Sequence, residues 1–192
     1  MTKELKPAIV MFGRFQPPTI GHYHVIDRMK EYMREHRTEG LTPFIVIIAG
    51  EKSSKDKGEN PLTAQEREKF IRASGYADGV KILVANDMFA AIHAVQDEGF
   101  RVDVVAAGSD RAERYLKILR DHFDTNAVAL PGLERTEAST LRGIPISGVS
   151  GSLARLAVEH DDRETFARLT GTTDKPKLAQ IMFDKIKTRQ GD

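Results

Sequence analysis

Gly13-Arg14-Phe15-Gln16-Pro17-Pro18-Thr19-Ile20-Gly21-His22 decides how the rest of this chain is read. The stretch follows an apolar run, Ala8 to Phe12, whose unbroken hydrophobicity suits a strand covered on both faces. It precedes Val25, Ile26, Met29, Tyr32 and Met33, spaced three and four apart as on one face of a helix. A glycine, two prolines and a Gly-His pair therefore sit where a strand gives way to a helix. Such junctions hold phosphates in α/β proteins, because the first N–H groups of the helix and its dipole favour negative charge. His22 shares the face of Val25 and Ile26, which predicts that it points over the end of the sheet rather than to water.

Working outward, four more short apolar runs recur: Phe44 to Ala49, Val80 to Val84, Val102 to Ala107 and Ala127 to Leu130. Between them lie helical patterns at about Gly21 to Arg37, Ala64 to Ser74, Met88 to Glu98 and Arg111 to His122. This alternation predicts a doubly wound α/β fold, a Rossmann-like five-stranded parallel sheet followed by short C-terminal helices. Thr63-Ala64-Gln65-Glu66 is a capping box, and Asp87, Ser150 and Asp161 are candidate caps. Two short helices are expected from Gly151 to His160 and Arg163 to Leu169. Leu178, Ile181, Met182 and Ile186 mark one face of a last helix. No repeat or domain boundary stands out, so one domain is expected over residues 1–192, with a core at about 7–160 and a helical extension at about 161–190.

The 192 residues carry a formal net charge of +1, which gives no global basic field for nucleic acid. No cysteine is present, which removes disulfides, thiolate metal sites and a cysteine nucleophile. The opening residues lack a signal-peptide apolar stretch, and no run approaches a membrane span. A soluble cytoplasmic protein is the expectation. His24, His36, His93, His122 and His160 are scattered without metal-ligand spacing, and His24 is placed on the outer face of its helix. Lys185, Lys187 and Arg189 are expected to form a solvated face. Two polar loops, Glu51 to Asn60 and Glu134 to Ile146, are placed to cover the carboxyl ends of the strands, where open α/β sheets bind ligands.

The first motif resembles the signature of the nucleotidylyltransferase superfamily, Gly-x-Phe-x-Pro-x-(His/Thr)-x-Gly-His. It matches at Gly13, Phe15, Pro17, Thr19, Gly21 and His22. Val149-Ser150-Gly151-Ser152-Leu153-Ala154-Arg155 resembles the second signature, Ile-Ser-x-Thr-x-x-Arg, with Ser152 in place of threonine. The Gly-Arg-Phe-Gln-Pro wording and Asn60-Pro61-Leu62-Thr63 look most like the archaeal-type nicotinamide mononucleotide adenylyltransferases and their phage relatives. The likeness spans roughly residues 7 to 160.

That resemblance implies transfer of a nucleotidyl group from a triphosphate to a phosphorylated acceptor. The acceptor phosphate is itself the nucleophile, so positioning and electrostatics carry the catalysis. His22, Thr19 and Arg155 are implied catalytic residues. His22 and Thr19 would donate to the triphosphate, and Arg155 would reach its outer phosphates with a forked guanidinium. Gly13 and Phe15 belong to the strand end where main-chain N–H groups meet oxygen, Gly21 belongs to the same motif, and Arg14 suits the acceptor phosphate. Ser150 and Ser152 sit at a helix start that forms an anion cradle. Gly108 and Asp110 take the place of a Gly-x-Asp that serves the sugar. Lys52, Lys55 and Lys57 are candidates for closing over the phosphates. Mg²⁺ would be held mainly by the triphosphate and water, with no protein metal site.

The expected partners are ATP and a small phosphorylated acceptor, with no nucleic acid and no membrane; a homo-oligomer is compatible with the last helix's apolar stripe. ATP and nicotinamide mononucleotide, giving NAD and pyrophosphate, is the leading assignment. A cytidylyltransferase, or an adenylyltransferase with another acceptor, keeps the same fold and phosphate chemistry. Phe89, Asn86 and Arg135 are candidates for holding the acceptor ring. A class I aminoacyl-tRNA synthetase shares the His-x-Gly-His element, but this chain is short and shows no lysine-rich second signature. A nucleotide-binding sensor without turnover is the rival of a different class.

Overall fold

The apolar runs do form strands: β1 (Lys6–Gly13), β2 (Thr42–Ile48), β3 (Lys81–Ala85), β4 (Phe100–Val105) and β5 (Val128–Ala129). They pair in one all-parallel sheet of order β3-β2-β1-β4-β5. The computed structural model describes residues 4–50 and 56–191. Helices α1 (Ile20–Glu35), α2 (Ala64–Ala73), α3 (Met88–Asp97), α4 (Ser109–Phe123), α5 (Gly151–Glu159), α6 (Arg163–Thr170) and α7 (Pro176–Gln190) follow in chain order. This is the expected Rossmann-like α/β fold. Among the described residues no helix is long and apolar enough to cross a membrane.

The chain divides into two compact units. The first comprises Met1–Gly13, Val25–Ile48 and Gly79–Glu134, and it holds the whole five-stranded sheet. Val10, Phe12, Phe44, Val46, Val102 and Val105 of the central strands are buried with Ala91, Ile92 and Val95 of α3 and Leu119 of α4. Each large side chain of this kind contributes about 1.5–3 kcal/mol by leaving water. The strand order reverses between β1 and β4, whose main chains stay bonded at the Ala106 N–H to the Val10 carbonyl, 2.9 Å. Gly13 ends β1, and Gly108 caps α4 just beyond β4, so both stand at carboxyl ends beside the reversal.

The second unit comprises Arg14–His24, Ala49–Asp78 and Arg135–Asp192. Phe15, Ile20, Tyr23, Ile71, Phe166 and Phe183 are its largest buried side chains. Tyr23 stacks on Tyr76 with ring centroids 4.6 Å apart, and burial pushes the Tyr23 phenol well above its ordinary value. Phe166 of α6 meets Phe183 of α7 edge to face at 5.3 Å. Thr63 and Glu66 close the capping box of α2, Ser150 caps α5 and Asp87 caps α3, as expected.

Four expectations are corrected. The cap of α6 is Asp162, whose carboxylate accepts the Thr165 N–H at 3.0 Å, while Asp161 sits in the left-handed region at φ 56°. Within the polar loop, Thr140–Leu141 and Ile144–Pro145 form a two-stranded antiparallel hairpin, β6 and β7. Ile181 lies exposed rather than on the buried face of α7, which Met182, Phe183 and Ile186 form. His24 is half-buried, not on the outer surface.

Candidate active site

Both signature motifs fall mainly in the second unit. After Gly13 the chain turns through Phe15, a bulky residue held at φ 54° with about 1% of its surface exposed. A left-handed aromatic residue costs about 1–3 kcal/mol, which the packing around it must offset. Its ring lies 4.7 Å from that of His22. The Thr19 carbonyl accepts the N–H of His22 at 2.9 Å and of Tyr23 at 3.2 Å, so α1 starts there. The Thr19 N–H in turn donates to His22 Nδ1 at 3.0 Å, and the Thr19 hydroxyl lies 2.9 Å from the same nitrogen. A main-chain N–H can only donate, so Nδ1 is an acceptor and the imidazole proton sits on Nε2. The ring is thereby fixed as an Nε2–H donor.

The second motif meets the first through its arginine. Arg155 Nη1 donates to the Gln16 carbonyl at 2.6 Å, and Nη2 to the Ser152 hydroxyl at 3.3 Å. Burial lowers the Arg155 pKa, Glu59 partly opposes this, and the nearby positive charge of Arg14 adds to it. Gly151 has a steric reason: a Cβ there would stand 2.8 Å from the Gln16 carbonyl oxygen. Ser150 accepts the Leu153 N–H at 3.2 Å. Ser150 and Ser152 are exposed at the head of α5 beside that helix's first N–H groups.

Sequence reasoning missed three residues that build this arrangement. Gln16, 4% exposed, donates from Nε2 to the Leu62 carbonyl at 2.7 Å and accepts the Leu62 N–H at 3.0 Å. This pair joins the first motif to the Asn60-Pro61-Leu62-Thr63 segment. Arg67, 3% exposed, donates to the carbonyls of Arg14 at 2.6 Å and Thr63 at 3.2 Å. Burial, with the Arg14 charge beside it, lowers its pKa to about 10. Arg135, expected only as a candidate for the acceptor ring, donates to the carbonyls of Gly21 at 3.1 Å and Val149 at 3.2 Å. Burial lowers its pKa as well. All three act on main-chain groups, which no residue pattern in the sequence records.

Arg14, Phe15, Thr19, Gly21, His22, Ser150, Ser152 and Arg155 thus belong to one unit. Gly13, Gly108 and Asp110 belong to the other, with Asp110 exposed in the first turn of α4. Asn86 and Phe89 are exposed in that unit too. Lys52 and Lys55 lie outside the described residues. Lys57 is exposed and, with Gln16, Asn60, Arg67 and Arg189, lines a pocket of about 440 Å³ in the second unit. Asn60 Oδ1 is buried without a hydrogen-bond partner among the described residues. The basic tail is not merely solvated: Lys185 and Arg189 pair with Glu66, and Lys187 with Asp161 at 2.6 Å.

A five-stranded parallel sheet whose order reverses between β1 and β4, flanked by helices, makes this a Rossmann-like α/β chain. The cytidylyltransferase-like family model matches residues 10–155, which takes in both signatures, and this chain belongs to that family. The family lies in the nucleotidyltransferase superfamily and supports a nucleotidylyltransferase activity. A comparison with curated proteins finds no match.

Proposed function

We propose that this protein transfers AMP from ATP to nicotinamide mononucleotide, forming NAD and pyrophosphate. An oxygen of the acceptor phosphate attacks the α-phosphorus in line, the bond to the bridging oxygen breaks, and pyrophosphate leaves. His22 Nε2–H donates to the charge that develops on the triphosphate. Arg155 and the head of α5, with Ser150 and Ser152, hold the departing phosphates. Arg14 and Lys57 bring positive charge for the acceptor phosphate. Thr19, buried and turned to Nδ1, acts by aiming His22. Roles for Gly13, Phe15, Gly21, Gly108 and Asp110 rest on the motif resemblance, and so do those of Lys52 and Lys55.

Mg²⁺ would enter with the triphosphate. The donor set fits that arrangement: the site is built of arginine, histidine and hydroxyl groups, which hold phosphate oxygens and leave the metal to the triphosphate and water. The metal would draw charge from the phosphate oxygens as pyrophosphate departs.

The observation that carries this reading is the fixed tautomer of His22 at the start of α1, within the residues that the family model matches. A cytidylyltransferase is the second reading, favoured by the description of the family itself. Pyrophosphate release with ATP or CTP across a panel of phosphorylated acceptors separates them. NAD formation with ATP is expected. Turnover only with CTP and a phosphorylated alcohol would replace the assignment, and nucleotide binding without turnover would favour a sensor.

A further inference from the structure

The transfer chemistry leaves the end of α7 without a task. Its carboxylate partner, Glu66, is already engaged: Oε2 accepts the Thr63 N–H at 3.0 Å and completes the cap of α2. Glu66 Oε1 nevertheless also accepts Lys185 at 3.0 Å and Arg189 Nη2 at 2.9 Å, and Arg189 Nη1 takes Oε2. Arg189 Nη1 donates further to the Pro61 carbonyl at 2.6 Å. The next residue, Gln190, donates from Nε2 to the Arg155 carbonyl at 3.4 Å.

These contacts close a ring. Pro61 precedes Leu62, which exchanges two hydrogen bonds with Gln16; the Gln16 carbonyl accepts Arg155; and Arg155 returns to α7 through Gln190. Each link is modest, and an exposed ion pair alone contributes little. A forked arginine on a carboxylate that is also a helix cap is a different case, because geometry and charge are fixed together. The nine-residue α5 has particular need of such support, since a helix that short is marginal by itself.

We propose that the last turns of α7 form a clasp that positions Arg155 and the Gln16 loop for nucleotidyl transfer, with Glu66, Lys185, Arg189 and Gln190 as positioning residues. This rests on the transfer reading above. The clasp acts through Gln16 and Arg155, so its loss is felt where the triphosphate is held.

Glu66→Gln is the informative variant. Glutamine still completes a capping box, so the cap of α2 survives while the charge that holds Lys185 and Arg189 is lost. Arg189→Gln removes the other side. Asp184→Asn, which removes the charge from the pair between Arg163 of α6 and Asp184 of α7, is the control. Well below the melting temperature, Glu66→Gln and Arg189→Gln should each raise KM for the triphosphate about tenfold or more, as small misplacements at a transfer site do. Arg189→Lys should restore part of the loss, the double variant should add little to either single one, and Asp184→Asn should leave KM unchanged. An unchanged KM in Glu66→Gln, or an equal rise in Asp184→Asn, overturns the clasp. Amide hydrogen exchange gives a second measure that needs no turnover. The Leu62 amide should exchange faster in Glu66→Gln, and an unchanged rate overturns the clasp as well. Absence of turnover in the unmodified protein would count against the transfer reading alone, with the exchange measurement still deciding the clasp.

Discussion

The main-chain N–H of Thr19 and the hydroxyl of the same residue both face Nδ1 of His22, at 3.0 and 2.9 Å. The histidine is thus aimed by two groups, one of which belongs to the main chain and survives any change of the Thr19 side chain other than to proline. His22→Ala should lower kcat roughly a hundredfold to a thousandfold, as loss of a donor directed at developing charge does. Thr19→Val keeps the main-chain bond and should cost far less, within about tenfold, the net worth of one hydrogen bond. Steady-state rates with the fold checked by circular dichroism test both. Equal losses in the two variants would mean that the hydroxyl itself meets the phosphates.

Arg155→Lys should impair activity although charge is kept. The guanidinium spends donors of two different nitrogens on the Gln16 carbonyl and the Ser152 hydroxyl and keeps others for phosphate. A lysine gathers its three donors on one atom and cannot reproduce this planar, spread arrangement. The expected result is a raised KM for the triphosphate together with a reduced kcat; wild-type values for both would remove Arg155 from the proposed site.

The strands were legible because burial on both faces leaves an unbroken apolar run, as in Ala8 to Phe12 and Phe44 to Ala49. Helix starts were legible where a side chain caps, as at Thr63, Asp87 and Ser150. The hairpin was hidden for a physical reason. Its two-residue turn, Arg142-Gly143, has φ of 49° and 79°, and an arginine in that first place gives none of the usual turn signal. The Arg142 guanidinium lies 4.2 Å from the centroid of the Tyr76 ring, a contact far away in sequence. Gln16, Arg67 and Arg135 escaped for the same reason: their bonds to Leu62, Arg14, Gly21 and Val149 are to main-chain groups, which no residue pattern records.

Two glycines of the motifs should respond differently to alanine. At Gly151 the added Cβ meets the Gln16 carbonyl oxygen at 2.8 Å, and that atom is main chain. At Gly21 it meets Arg135 Nη1 at 2.7 Å, the far end of a flexible side chain. Gly151→Ala should therefore destabilise by about 1–3 kcal/mol, the usual cost of overpacking. Gly21→Ala should cost less in stability, since the arginine can swing away and alanine favours the helix by about 1 kcal/mol. Urea unfolding of both variants decides, and a reversed order would contradict the crowding assigned to position 151.

Acid should expose the contribution of Glu66. Hydrogen bonding from Arg189, supported by the Thr63 N–H and Lys185 and opposed by partial burial, lowers its pKa to about 2 from an ordinary 4.5. A carboxyl group whose folded value is depressed binds fewer protons in the folded state than in the unfolded chain. Its stabilisation is therefore fully present above about pH 5 and fades as the pH falls through 4.5 toward about 2. Glu66→Gln has no such proton to take up. The variant should be the less stable protein at pH 7, and the gap to wild type should narrow steadily below pH 5. Thermal melts of both proteins between pH 7 and pH 3 give the comparison. A gap that stayed constant across that window would show that the Glu66 charge adds nothing to the fold.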